Sequence, residues 1–167
     1  MNLSVTLEKA FNNQLNLELY SSYIYHGMEA YFATTPYEGF AKWMGLQRKE
    51  ESEHADKFFN YIVDRGGKVN LQAIGEPKCD YPSPLAVFQA ALKHEQLVSA
   101  SIGKLYEIAL TEKDYASLVF LQWFLTEQVE EEKNVSDLVT KLEIAGDNRN
   151  AIFQVDKLAG KRNGQSC

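Results

Sequence analysis

Residues 67–82 read Gly67-Lys68-Val69-Asn70-Leu71-Gln72-Ala73-Ile74-Gly75-Glu76-Pro77-Lys78-Cys79-Asp80-Tyr81-Pro82, and the length of this polar stretch decides the fold. It is polar, begins with Gly67, ends with Pro82, contains Gly75 and Pro77 and shows no helical repeat of apolar residues, so it reads as a loop. Loops this long are unusual in compact chains and need a structural reason. Fully extended, it reaches ~53 Å at about 3.3 Å per residue. That is enough to travel the length of a long helix.

Long helices flank it. Periodicity and punctuation predict helices over about 6–33, 36–65, 84–111 and 114–145, and a short fifth over about 148–159. Each of the first four is ~42–46 Å long at about 1.5 Å per residue. Thr35-Pro36 with Glu38 reads as a capping box with proline in the first turn. Ser83-Pro84 gives a similar start signal, and Gly66-Gly67 a stop. The first pair and the second pair are joined by very short turns, so each is an antiparallel hairpin. The long stretch between the pairs is then a crossover that sets the third helix parallel to the second. The expected fold is all-α: one domain over 1–167, a four-helix bundle with one long crossover and a short fifth helix. The tail from Lys161 is expected to be loose.

The seams of the four helices, traced at alternating steps of three and four, carry the chemistry. The first runs Phe11, Leu15, Glu18, Ser22, Tyr25, Glu29, Phe32, and the second Phe40, Met44, Gln47, Glu51, His54, Phe58, Tyr61. The third runs Leu85, Phe88, Leu92, Glu95, Ser99, Ile102, Tyr106, Ala109, and the fourth Leu121, Phe124, Gln128, Glu131, Val135, Leu138, Leu142, Ala145. Each is apolar towards its ends and carries ligand-type residues in the middle. In each hairpin these residues lie at matching distances from the turn, so Glu18, Glu51, His54, Glu95, Gln128 and Glu131 meet near mid-bundle.

Four carboxylates in an apolar core cannot stand as bare charges, because desolvating each ion costs several kcal/mol. They protonate, pair with cations or bind metal. No Lys or Arg occupies the middle of these seams. Oxygen-rich ligands with one imidazole favour iron or manganese, and ligands from four helices suit two ions rather than one. A single such Glu is as readily a carboxylate that reaches solvent, and His54 alone a core histidine. The Glu51/His54 spacing of three puts both on one face.

The bulk properties bound the setting. The 167 residues are 45% apolar and 24% charged with net charge −6, which suits a soluble globular chain and argues against nucleic acid as partner. No apolar run approaches a membrane span, and the first residues lack the apolar core of a signal peptide. Cys79 and Cys167 form no motif, consistent with a reducing compartment and a cytoplasmic location.

The chain resembles the non-haem bacterial and archaeal ferritins from Leu7 to about Leu158. The resemblance rests on Asn16-Leu17-Glu18-Leu19-Tyr20, Glu50-Glu51-Ser52-Glu53-His54-Ala55, His94-Glu95, and Phe120-Leu121-Gln122-Trp123-Phe124 followed by Glu127-Gln128-Val129-Glu130-Glu131-Glu132. It implies an iron-storage subunit with ferroxidase activity, oxidising Fe(II) with O2 or H2O2, in a homo-oligomeric shell of twenty-four copies with the fifth helix at the four-fold axes. One iron is then expected on Glu18, Glu51 and His54, and a second on Glu51, Glu95 and Glu131, with Gln128 beside them. A third, weaker position maps onto Glu50, Glu127 and Glu130, with Glu131 open to sharing. Glu132 is expected on a solvated acidic face. Tyr25 is expected to hydrogen-bond a ligand and to supply an electron, a role Trp123 also fits; plain packing accounts equally for both. Haem-binding relatives repeat Glu-x-x-His on the fourth helix, where this chain has Gln128-x-x-Glu131, and place a methionine where it has Ser52. No haem is therefore expected. Two other readings stay open on the residues alone: a di-iron enzyme acting on a soluble substrate, and a helical interaction protein with protonated seam acids.

Overall fold

The structure, a computed structural model, describes residues 2–163; Cys167 lies outside them. Its elements are α1 (Val5–Ala33), α2 (Glu38–Asp64), α3 (Pro84–Thr111), α4 (Tyr115–Ala145) and α5 (Arg149–Ala159), with no strand among the described residues. Local chemistry explains most of the starts. The side chains of Ser4, Ser83, Asp114 and Asn148 each accept a backbone N–H of the first turn they precede. Pro84 follows its cap as the sequence indicated. Gly66, at φ 68°, supplies the left-handed residue that ends α2, and the Gly67 N–H closes back on Ile62 O at 2.9 Å.

The capping box at Thr35 does not form. The Thr34 and Thr35 N–H groups bond back to Tyr31 O and Phe32 O, and the Thr35 hydroxyl donates to Phe32 O at 2.8 Å. The Thr35 oxygen accepts only the Tyr37 N–H, at 3.3 Å, and not that of Glu38, and α2 begins at Glu38 rather than 36. Its first turn is capped from a distance: the Phe40 N–H donates to Asp156 Oδ1 of α5 at 2.8 Å. A Cβ on Gly39 would lie 2.0 Å from Asp156 O, so only glycine permits this approach.

α1 pairs with α2 and α3 with α4 in two hairpins, while α5 packs on α2 and α4. Residues 65–83 make the crossover and lie along α1. Asn12 and Asn16, one helical turn apart, hold it by backbone-like pairing. Asn12 donates to Lys68 O and accepts from the Asn70 N–H at 2.9 and 2.6 Å; Asn16 donates to Asn70 O and accepts from the Gln72 N–H at 2.9 and 2.7 Å. Further along, a Cβ on Gly27 would meet Lys78 O at 2.7 Å, so the loop lies directly against α1 there.

Two apolar clusters fill the bundle. One gathers Met28, Phe32, Phe40, Met44, Phe88 and Leu142; the other gathers Phe11, Leu15, Phe58, Ile62, Ile102 and Phe124. The polar mid-seam residues lie between them. The α2 and α4 seams are buried almost throughout, Tyr61 being the half-buried exception, whereas α1 and α3 are rotated slightly from the traced phase. Ser22, Glu29, Leu92, Ser99 and Tyr106 are half-buried at the edge, and Ser21, Met28, Ala91, Val98 and Leu105 take core positions. No helix among the described residues is long and apolar enough to cross a membrane.

Candidate metal centre

Each mid-seam residue is delivered by a helix that is apolar on both sides of it. Glu18 and Tyr25 come from α1, Gln47, Glu50, Glu51 and His54 from α2, Glu95 from α3, and Gln128 and Glu131 from α4, and all are buried. Ligand atoms of Glu18, Glu51 and His54 lie within 4.8 Å of one another, and so do those of His54, Glu127 and Glu131.

Neighbouring amides and hydroxyls aim the carboxylates. Gln14 donates to Glu18 Oε1 at 2.7 Å, itself held by the Ser101 hydroxyl at 2.6 Å. Gln47 donates to Glu131 Oε2 at 2.7 Å and approaches Glu51 Oε1 at 3.5 Å. The Tyr25 hydroxyl donates to Glu95 Oε1, while Gln128 donates to Glu95 Oε2 at 3.2 Å and to Ser99 Oγ at 3.2 Å. His54 Nδ1 lies 3.5 Å from Glu51 Oε2, and its ring stands edge-on to Trp123 and Phe124, which wall the centre.

Among the described residues, two buried oxygens accept no hydrogen bond: Glu18 Oε2 and Glu51 Oε2. Buried acceptors are rarely left so, and an orphaned carboxylate oxygen beside an imidazole is where a cation belongs. Electrostatics agree. Burial, then the neighbouring Glu51 carboxylate, drives the Glu18 pKa well above the usual range. Burial, then Glu95 and Glu131, does the same to Glu51. Burial raises Glu95 against the opposing hydrogen bonds of Tyr25 and Gln128. Glu131 rises to about 8, from burial and then the Glu95 charge. Without a metal the layer is therefore held partly protonated.

The outer residues are less gathered. Glu127 is half-buried and joins His54 and Glu131, but Glu130 is exposed and lines a surface cleft with Trp43 and Arg162. Glu50 is ion-paired to Arg162 at 2.6 Å. Glu132, expected in solvent, is half-buried and accepts from Ser99 at 2.5 Å. Arg162 overturns the expectation of a loose tail over its first residues: it folds back onto α2. The seams gave no sign of it, because it follows α5. Gln14 was also missed, although its place one turn before Glu18 was a usable signal.

A crossover four-helix bundle with a buried carboxylate–histidine layer is the ferritin-like class. A family model described as a ferritin-like domain matches residues 8–145. A bacterial non-heme ferritin of Staphylococcus aureus strain USA300 is 42% identical over 160 residues, spanning 96% of each chain. One of Escherichia coli O6:H1 is 37% identical over 146 residues, spanning 87% of this chain and 88% of the relative. A solved open pore ferritin from Archaeoglobus fulgidus superposes with a TM-score of 0.95 at 41% identity, covering 97% of this chain and 100% of that one. The chain belongs to the ferritin family.

Proposed function

We propose that this chain is the subunit of an iron-storage ferritin and that its mid-bundle layer is a ferroxidase centre for two Fe(II) ions. The observation that carries the reading is the pair of orphaned, buried oxygens, Glu18 Oε2 and Glu51 Oε2, beside His54. Glu18, Glu51 and His54 would hold one ion; Glu51, Glu95 and Glu131 the other, with Glu51 shared. Gln14, Gln47, Gln128 and Tyr25 fix the directions of the carboxylates, so little reorganisation is needed when iron enters.

The chemistry balances simply. Two Fe(II) ions give one electron each; O2 takes both with two protons to become H2O2, or H2O2 takes both with two protons to become two waters. The protein supplies position and negative charge, which favours Fe(III) over Fe(II). Protons leave Glu131 and its neighbours as iron binds. Ferric product then passes to mineral inside a homo-oligomeric shell, read as twenty-four subunits in the cytoplasm. The amphipathic α5, with Val155 and Ala159 buried against the bundle, is free to meet other copies through Leu158, which is 48% exposed.

Stopped-flow oxidation of two Fe(II) per subunit tests the assignment. Glu51→Ala, which removes the shared ligand, should abolish the fast phase, and Glu18→Ala or Glu131→Ala should slow it at least tenfold. Unchanged fast phases in all three would reject it. Light scattering tests the shell: a mass far below twenty-four subunits would contradict it.

A further inference from the structure

Two half-buried serines, Ser99 and Ser101, lie near the middle of α3. Residues two apart on a helix stand about 200° from each other around its axis. The pair therefore faces two different neighbours: Ser99 reaches α4 and Ser101 reaches α1. Each meets a glutamine there, and each glutamine in turn holds a carboxylate of the centre.

On the α1 side the Ser101 hydroxyl donates to Gln14 Oε1 at 2.6 Å, and Gln14 Nε2 donates to Glu18 Oε1 at 2.7 Å. With its oxygen held, the amide has its nitrogen to offer Glu18. That bond takes Oε1 and leaves Glu18 Oε2 bare, the oxygen free for a cation. On the α4 side the polarity is reversed. The Ser99 hydroxyl gives its one proton to Glu132 Oε1 at 2.5 Å, so towards Gln128 it acts as an acceptor. Gln128 Nε2 lies 3.2 Å from Ser99 Oγ, 3.2 Å from Glu95 Oε2 and 3.3 Å from Glu95 O. Ser99 takes one amide hydrogen and so aims the other at Glu95. A surface depression lined by Ser99, Leu125, Gln128, Val129 and Glu132 opens over this second relay. Water in that depression both donates and accepts, so it does not choose which end of the amide turns inward. A hydroxyl whose proton is committed does.

We infer that Ser99 and Ser101 are positioning residues that tune the two metal positions separately, Ser101 through Gln14 for the ion on Glu18 and Ser99 through Gln128 for the ion on Glu95. This rests on the ferroxidase reading, which names the glutamines but not what aims them. A carboxylate already aimed loses less freedom when an ion arrives, and a donated hydrogen bond favours its ionised, ligating form. The two relays share no side chain. Loss of one hydroxyl therefore changes the ratio of the two affinities rather than lowering both alike.

The test is the partition of iron within the assembled protein. Fe(II) is supplied without oxygen in steps between one and two per subunit, the protein is crystallised, and the two anomalous peaks at the iron edge are integrated. In Ser99→Ala the ratio of occupancies should move roughly three- to tenfold towards the Glu18–Glu51–His54 position, the worth of one neutral hydrogen bond. In Ser101→Ala it should move by a similar factor in the other direction. Ser99→Thr and Ser101→Thr keep the hydroxyl and should stay near the wild-type ratio. In a Gln128→Ala background Ser99→Ala should have no further effect, and the same holds for Ser101→Ala in Gln14→Ala. A serine that merely stabilises the fold lowers the melting temperature and leaves the ratio alone. An unchanged ratio in both alanine variants, shifts in the same direction, or a shift that persists without the glutamine overturns the inference and leaves the ferroxidase centre standing. Absence of iron from both positions in wild type overturns the ferroxidase reading, and this inference with it. If Ser101→Ala does not assemble, Ser99→Ala against Ser99→Thr decides: equal ratios sink the proposal.

Discussion

The Tyr25 hydroxyl donates to Glu95 Oε1, joining α1 to α3 through the centre of the bundle. Tyr25 is wholly buried, and burial, then the Glu95, Glu51 and Glu131 charges, drives its own pKa well up. It therefore stays a donor at every working pH and holds Glu95 towards its charged form. In Tyr25→Phe, Glu95 protonates more readily and competes less well for metal. Affinity for the ion shared by Glu95 and Glu131 should fall roughly ten- to a hundredfold, the range expected for one hydrogen bond to a charged group. Anaerobic Fe(II) titration checks this; the Glu18–Glu51–His54 ion should be little changed.

Glu131 sets a pH dependence. Its folded-state pKa of about 8 lies above the ordinary carboxylate value. Between the two values the folded, metal-free protein binds a proton that the unfolded chain does not. Stability is then full below the ordinary value and is lost as pH rises towards 8. Glu18, Glu51 and Glu95 shift in the same direction. Melting temperature in excess chelator should fall from pH 5 to pH 8, and Glu131→Gln should flatten that slope. Iron reverses it, because binding expels the protons and strengthens as pH rises.

The start of α2 depends on α5. Asp156→Ala removes the acceptor for the Phe40 N–H and should cost about 1 kcal/mol, as other lost caps do. Gly39→Ala should cost more, since the new Cβ would lie 2.0 Å from Asp156 O and must push α5 away. Chemical denaturation of both variants checks the order. Because Arg162 follows α5, Gly39→Ala should also loosen the guanidinium from Glu50.

The first part of the crossover is held by Asn12 and Asn16 beside the packing of Val69 on the core. Asn12→Ala leaves Lys68 O and the Asn70 N–H without these partners. Amide exchange over residues 68–72 should quicken at least tenfold, the equivalent of about 1.4 kcal/mol of lost protection. Exchange in the middle of α2 should stay unchanged.

What the sequence made readable was whatever repeats. The depth match of Glu18, Glu51, His54, Glu95, Gln128 and Glu131 follows from helical period and turn position, and these six residues do lie together between the two apolar clusters. The length of the loop between Gly67 and Pro82 was enough to infer the crossover. What escaped were contacts made between distant segments. Thr35 looked like the cap of a capping box, yet its hydroxyl donates back to α1 and its oxygen accepts only the Tyr37 N–H, while Asp156, 116 residues after Phe40, takes the Phe40 N–H. Arg162 lies on no seam and reaches Glu50 only because α5 returns the chain to α2. Glu29 and Ser22 sat on the traced seam but face its edge, because a strict repeat drifts around a straight helix over many turns.

The central claim is that Glu51 bridges two iron ions. An anomalous difference map at the iron edge, from crystals loaded with Fe(II) without oxygen, tests it directly. The account predicts two peaks flanking the Glu51 carboxylate, one beside Glu18 and His54 and the other beside Glu95 and Glu131. Iron bound only on the surface, with no peak within ligand distance of Glu51, would contradict it.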